Sequence, residues 1–414
     1  MAVGGSPQLR RRRLARKATT VLAGASVLAL VVTLALSAGP RGSSPVADDD
    51  RARSDASAPV SPSAREHPAA APRVLLVRRI GELPAPVLRR ARALAGRERV
   101  SVGAVRRVGL RRSRNSDGEV VDQPRSGYVF PLELSAVEPR TYAPLLPPEA
   151  RAAVRELGRG EALLSRTSAR LRRLRAGDRL ELTGRRSLRV AGVVDDELFR
   201  RAEIVVNARE GARLGAQRRW AFVPYAGDPG RLADALQEVG GPELRVRDLG
   251  RAPWPSFLRI LPQATLKERF GEFAVRADGD AGSVVVDPAW VRRNVIAARV
   301  PILGGVSCHR EMIGPLRRAL GELRRRGLAR LVDPSDYAGC YAAKDIATTG
   351  AVSRHAWGLA IDLNAAANPY GERSTQDPRL VEAMERNGFA WGGRWPTPDA
   401  MHFEYVGEGT GPGA

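Results

Sequence analysis

Two histidines and two aspartates in the last quarter of the chain have the side chains that metal-assisted hydrolysis needs. His355 lies in "SRHAWGLAIDLN" with Asp362 seven positions later, and His402 lies in "DAMHFEY" with Asp399 three positions before it. Imidazole nitrogen and carboxylate oxygen are both good zinc ligands, and three protein ligands plus a water form a catalytic rather than a structural site. A further carboxylate next to that water would act as its general base. "LAIDLN" has the apolar character of a buried strand. A carboxylate on such a strand must be paired or must bind a cation, because burying an isolated charge is costly. The alternative is a pair of core histidines satisfied by ordinary hydrogen bonds, and a His-Asp spacing does not by itself separate the two readings. Asp399 beside His402 favours the metal.

These residues need rigid supports. Gly358 permits a tight backbone path between His355 and the strand that carries Asp362. Upstream, "ARVPILGGVSCHREM" reads as a strand entering a turn, and residues 313–326 read as a basic amphipathic helix with Leu316, Leu320 and Leu323 on one face. A second helix starts at Asp377-Pro378, buries Leu380, Val381 and Met384, and stops at Asn387-Gly388. Trp357, Trp391, Trp395 and Phe403 either wall a cleft around the motifs or pack as core. The only two cysteines, Cys308 and Cys340, pair as a disulfide if the segment is exported, which would stabilise the fold by roughly 3.5 kcal/mol on the chain-entropy account. A cysteine metal site is the alternative, but it lacks the usual paired-cysteine spacing. His309 would close the metal site if it were a fourth ligand, so a structural or outer-sphere role is expected of it.

"SRHAWGLAIDLN" followed by "DAMHFEY" resembles the paired signature of the M15 zinc peptidases, SxHxxGxAxD and then [ED]xxH. The resemblance runs from about residue 253 to about residue 406. It implies an α+β domain with an antiparallel sheet core, Zn2+ as cofactor, His355, Asp362 and His402 as ligands, and Asp399 as the catalytic carboxylate. It also implies an arginine that steadies the substrate, for which Arg310 in "SCHREM" fits best and Lys344 in "CYAAKDIA" competes. Ser353 matches the motif serine, expected to bond near the substrate or to order the loop. The substrates implied are peptidoglycan stem peptides, cut by D-alanyl-D-alanine carboxypeptidases or L-alanyl-D-glutamate endopeptidases. Aspartate at position 399, where the carboxypeptidase type carries glutamate, leans toward the endopeptidase type.

The chain has 414 residues and a formal net charge of +22, enough length for two domains with extensions. Only Lys17, Lys267 and Lys344 of its 67 basic residues are lysines. Such a surface favours nucleic acid, acidic lipid or an acidic wall polymer, unless it reflects arginine-rich composition alone. The N-terminus narrows the choice. Arg10 to Arg13, Arg16 and Lys17 precede the uncharged apolar residues 18–38, with Asp48, Asp49 and Asp50 beyond, which predicts a single membrane span with the N-terminus inside. A signal peptide cut near Ala35-Leu36-Ser37 is the alternative. Export removes nucleic acid from the expected partners.

The expected organisation is therefore a basic N-terminus with anchor or signal peptide (1–39), a Pro/Ala/Ser tether (40–72), a small extracytoplasmic α+β domain (73–252) and the peptidase-like α+β domain (253–414). Residues 73–252 alternate strand and helix patterns, and "GDRLELTGRRSLRVAGVVDD" resembles the periplasmic domain of MacB-type exporter permeases. Nothing there reads as catalytic, so docking to an envelope protein or spacing is expected of it. The functional expectation is a membrane-tethered, alternatively secreted, zinc peptidase of the cell wall. The competing class is a non-catalytic peptidoglycan-binding or scaffold protein with a structural zinc site.

Overall fold

The computed structural model of the protein describes residues 72–97, 99–196, 202–250, 261–277, 282–346 and 350–407. The expected span, the tether and the boundary at 252/253 lie outside these residues. Among the described residues no helix is long and apolar enough to cross a membrane. The fold is mixed α+β, as the alternating strand and helix patterns require.

Residues 73–250 build one ten-stranded sheet. Its key element is the strand Ser101–Arg114. The first part of this strand pairs with Gln217–Tyr225, its middle with Phe130–Val137, and its far end with Arg179–Leu182. Because Arg179–Leu182 also ends the path of strands that starts from Phe130–Val137, the sheet closes on itself. Closure removes exposed strand edges there. Pairing through Gln217–Tyr225 extends the sheet to Arg73–Arg79 and Leu244–Gly250. The helices Ala85–Ala95 and Pro229–Gly240 contribute Val87, Leu88, Ala91 and Leu236 to an apolar cluster with Leu75, Val77, Ala221 and Val223. Asp228 caps the second of these helices by accepting from Gly230 N, with proline as its first residue.

The C-terminal unit centres on a four-stranded antiparallel sheet ordered Tyr337–Gly339, Ala360–Leu363, His402–Tyr405, Phe389–Trp391. The helices Arg310–Arg325 and Pro378–Arg386 contribute to its core. The first buries Met312, Ile313, Leu316, Ala319, Leu320 and Leu323, each larger side chain contributing about 1.5–3 kcal/mol. It begins three residues before the expected 313, because the His309 side chain accepts from Glu311 N and caps it. The hairpin Val295–Val300 with Gly304–His309 packs on the same helix. Cys308 and Cys340 are bonded and join the hairpin to the sheet's edge strand.

The two units share an interface with buried charge. Lys267, on the helix Gln263–Phe270, is 1% exposed and donates to Pro131 O at 2.6 Å and to the Glu203 carboxylate at 2.8 and 2.9 Å. Burial pushes its ammonium down to about 8 against the opposing pull of Glu203. Glu272 pairs with both Lys267 and the fully buried Arg172, and Arg172 also reaches Asp122. Val129 and Val275 exchange backbone hydrogen bonds across the same boundary.

Candidate active site

The alternation of the two central strands builds the site. In Ala360–Leu363 and His402–Tyr405 successive side chains point to opposite faces. Ile361, Leu363, Phe403 and Tyr405 enter the core, so Asp362, His402 and Glu404 share the other face. Asp362 and His402 are direct cross-strand partners, the closest approach a sheet offers. After Leu363 the chain leaves the strand through Asn364 at φ 51°, where its side chain bonds Asp333 N, Leu331 O and Gln376 Oε1. Asn is among the few residues that tolerate this conformation.

His355 arrives from a single 3-10 turn, Arg354–Trp357. Ser353 caps that turn by accepting from His355 N at 3.3 Å, so it orders the loop. The turn ends at Gly358, φ 68°, where an added Cβ would lie 2.7 Å from His309 N. Glycine is required on both counts.

One ligand atom each from His355, Asp362 and His402 lies within 4.8 Å of the others, and all three residues are buried. His355 Nδ1 lies 2.7 Å from Cys340 O. Donation to that carbonyl fixes the tautomer and turns Nε2, 3.1 Å from Asp362 Oδ2, into the free donor pair. His402 approaches Asp362 Oδ1 through Nδ1 at 3.0 Å, while its Nε2 faces Glu404 at 3.9 Å. Burial opposes charge on His402, but the Asp362 and Glu404 carboxylates and the charge of Asp399 outweigh it and raise the imidazole to about 10. Burial likewise opposes charge on Asp362, and the two histidines overcome it and hold the carboxylate far below its usual range. The site is thus electrostatically built for a cation. Nε2 of His355, Nδ1 of His402 and the Asp362 carboxylate form a two-nitrogen, one-oxygen donor set that fits zinc.

Asp399 is 1% exposed and within electrostatic reach of His402. Its backbone is pinned by Asp399 N to Gly392 O and His402 N to Asp399 O, at 3.0 and 3.1 Å. Gly392 is needed there because a Cβ would sit 2.4 Å from Asp399 O.

Of the remaining expected residues, Arg310 is the exposed first residue of the helix Arg310–Arg325 and makes no hydrogen bond or ion pair among the described residues. Lys344 is half-buried, and its carbonyl accepts from Ser353 N at 3.0 Å, on the segment that abuts the His355 turn. His309 bonds Phe270 O and Glu311 N, and burial pushes it down to about 4. It is a structural histidine. Trp357 and Phe403 are fully buried core, and Trp391 is half-buried with its Nε1 bonded to Ala400 O. Trp395 alone of the four stacks near a ligand, 5.3 Å from the His402 ring, and it belongs to an apolar cluster with Trp220, Phe222 and Leu249 of the other unit.

Two features were not anticipated. Arg354, 2% exposed, bonds Glu404 at 3.0 Å and Leu261 O at 3.0 Å and also reaches Gln263, which ties the His355 turn to the strand of His402 and to the helix Gln263–Phe270. Asp345 pairs with Arg107 of the first unit at 2.6 Å, beside the bridge from Asp345 to Val352 that leads into Ser353. The only signal for Arg354 was its place inside the motif; Asp345 gave none.

A groove of about 640 Å³ is lined by the exposed face of the hairpin and by Tyr337, Gly339, Cys340 and Tyr341. Burial, and after it the charge of Asp362, push the Tyr337 phenol up to about 12.

No curated protein matches the chain. Among solved structures it is similar to the periplasmic region of MacB from Actinobacillus actinomycetemcomitans, at 10% identity and a TM-score of 0.28, over 42% of this chain and 88% of that one. A likeness that loose carries no argument. Residues 347–405, which hold all three donors and Asp399, match the M15 peptidase family described as D-alanyl-D-alanine carboxypeptidase, and that match supports a peptidase domain of this kind at the C-terminal end of the chain.

Proposed function

We propose that the protein is a zinc-dependent peptidase that hydrolyses amide bonds in peptidoglycan stem peptides. The observation that carries this reading is the convergence of His355, Asp362 and His402 on one point with the buried Asp399 close by. The family match over the same residues supports it. A non-catalytic metal site has no use for a buried carboxylate at Asp399.

When bound, zinc would supply Lewis acidity toward the scissile carbonyl and lower the pKa of a coordinated water. The residues do the rest. His355 is held in a fixed tautomer by Cys340 O, and the Asp362 and Glu404 carboxylates face the two ring nitrogens of His402. Asp399 takes the proton of the attacking water and returns it to the departing amine nitrogen. Arg310 is the cation assigned to the substrate's oxygen, and Lys344, whose carbonyl accepts from Ser353 N next to the His355 turn, is the alternative. Tethering by residues 18–38 would keep the site at the membrane face of the wall, where the basic surface favours anionic polymers.

The test is mass spectrometry of defined muropeptides incubated with the full chain, with and without zinc. Zinc-dependent cleavage is expected, and the fragment masses identify the bond. Intact peptides after incubation with folded, zinc-loaded protein would overturn the proposal.

A further inference from the structure

On the first unit, a cavity of about 270 Å³ is lined by four arginines and by no acidic residue. The side chains come from three elements. Arg106 and Arg107 belong to the long strand Ser101–Arg114, Arg186 is the first residue of the strand Arg186–Val194, and Arg213 is the last residue of the helix Ala208–Arg213. Leu182 and Leu214 supply apolar wall between them. Leu182 pairs with Leu110 of the long strand and with Arg186, so the hairpin that carries Arg186 is pinned to the strand that carries Arg106 and Arg107.

Elsewhere on this unit surface arginines sit against carboxylates: Arg79 on Glu243, Arg166 on Asp195, Arg189 on Glu161 and Arg218 on Glu82. At the cavity the pairing is incomplete. Arg107 donates to Asp345 at 2.6 Å. Among the described residues Arg106 finds the Gly215 carbonyl alone, at 3.0 Å, over a glycine at φ 76° whose added Cβ would strike its Nη1. Arg213 stands 3.8 Å from Glu210, beyond hydrogen-bond reach, and that carboxylate already accepts from Gly160 N. Arg186 is exposed, and its side chain makes no hydrogen bond or ion pair among the described residues. Two acids against four guanidiniums leave a surplus of positive charge, and a concave, partly apolar wall concentrates its field.

We propose that this cavity is a binding site for a phosphate group. A carboxylate is planar, and one or two guanidinium forks satisfy its two oxygens. Guanidiniums arriving from three elements need oxygens that point in three directions, which a tetrahedral phosphate offers, and the arginine fork matches it bidentately. The volume falls just below the about 300–1,000 Å³ of clefts for drug-sized ligands, which suits free phosphate or one unit of a phosphodiester chain. Residues 183–186 at the rim are exposed, so a chain can enter and leave. The site lies on the unit that the family match does not cover and does not depend on the peptidase reading. It concentrates in one cavity an attraction that net charge alone spreads over the surface, and Arg107 places it at the boundary with the second unit, one ion pair from Asp345.

The experiment is calorimetric titration of the full chain, without added zinc, with inorganic phosphate, a short glycerol-phosphate oligomer and acetate. Salt is held at about 0.15 M, where exposed charges are screened beyond about 8 Å. Phosphate or the oligomer should bind saturably at one site per chain, and acetate should not. Tighter binding of the oligomer assigns the site to a phosphodiester chain, and equal or weaker binding assigns it to free phosphate; either supports the proposal. The double variant Arg186→Gln, Arg213→Gln should weaken binding at least about tenfold, the loss of one or more charge-assisted contacts. Arg186→Glu should abolish it. Arg90→Gln, on the helix Ala85–Ala95 outside the cavity, should leave it unchanged. Both pocket arginines are exposed, so urea midpoints should stay at the wild-type value, and if the double variant unfolds Arg186→Glu alone decides. No saturable binding of either phosphate probe, acetate bound as tightly as phosphate, or an equal loss in Arg90→Gln overturns the proposal; the last would mark the attraction of the whole basic chain rather than a site.

Discussion

Trp395→Ala tests whether the first unit holds the metal site in place. Trp395 is 3% exposed, belongs to the apolar cluster of Trp220, Phe222 and Leu249, and lies 5.3 Å from the His402 ring. Truncating a tryptophan this buried costs about 3–5 kcal/mol, the lost transfer free energy plus the cavity left behind. A purely structural cavity would show only that loss. Here the indole also backs the imidazole that Asp362 orients, so its removal frees the His402 ring to leave its donor position. Supporting contacts of this kind are worth about 10- to 100-fold in metal affinity. Two assays are read together: urea unfolding followed by far-UV circular dichroism, and zinc affinity by chelator competition at pH 7. Trp395→Ala should lower both, and Trp395→Phe should recover most of the affinity. Lowered stability with wild-type zinc affinity would refute the coupling between the first unit and the site.

Asp399→Asn should bind zinc with wild-type affinity and lose about 100- to 10,000-fold in turnover of a cleaved muropeptide, the range for a missing general base; turnover within a few-fold of wild type sinks the assignment. Zinc at 100 times its Kd should raise unfolding stability by about 2.7 kcal/mol, and His355→Ala should abolish that gain, both read from denaturant midpoints. Lys267→Met strands the fully buried Glu203 carboxylate and should cost about 3–5 kcal/mol, most of it recovered in the double variant with Glu203→Gln. His309 is held neutral, its pKa lowered from 6.5 to about 4, so the unfolded chain binds the extra proton first. Its contribution should be fully present above pH 6.5 and lost as pH falls toward 4, and His309→Asn, which can still cap Glu311 N, should flatten that slope in urea titrations at pH 4.5 and 7.

What was readable from sequence is what local chemistry fixes. "AIDL" and "HFEY" alternate polar and apolar residues, and that alternation alone puts Asp362 and His402 on one face. Gly358 and the Asp377 and Asp228 caps are local too, and each lies where its backbone role requires. The helix start was missed by three residues because its cap is His309, an unusual choice at that position, so Arg310 falls on the helix instead of the preceding turn. Arg354 and Lys267 carry charges that on an arginine-rich chain read as solvated. Only a packed fold reveals that Glu404 and Glu203, distant in sequence, are buried beside them. The same holds for the first unit. No residue in it bears on hydrolysis, and its strands predict a separate body. Yet Arg107 braces Asp345 beside the His355 loop and the Trp220 cluster takes in Trp395 behind His402, so the donors on one unit are supported on two sides by the other. A peptidase domain cut at residue 253 would expose Trp395 and strip Lys267 of Glu203 and Pro131. Its failure to bind zinc would then report the missing support rather than a wrong ligand set, and the full chain is the proper object for every assay of the site.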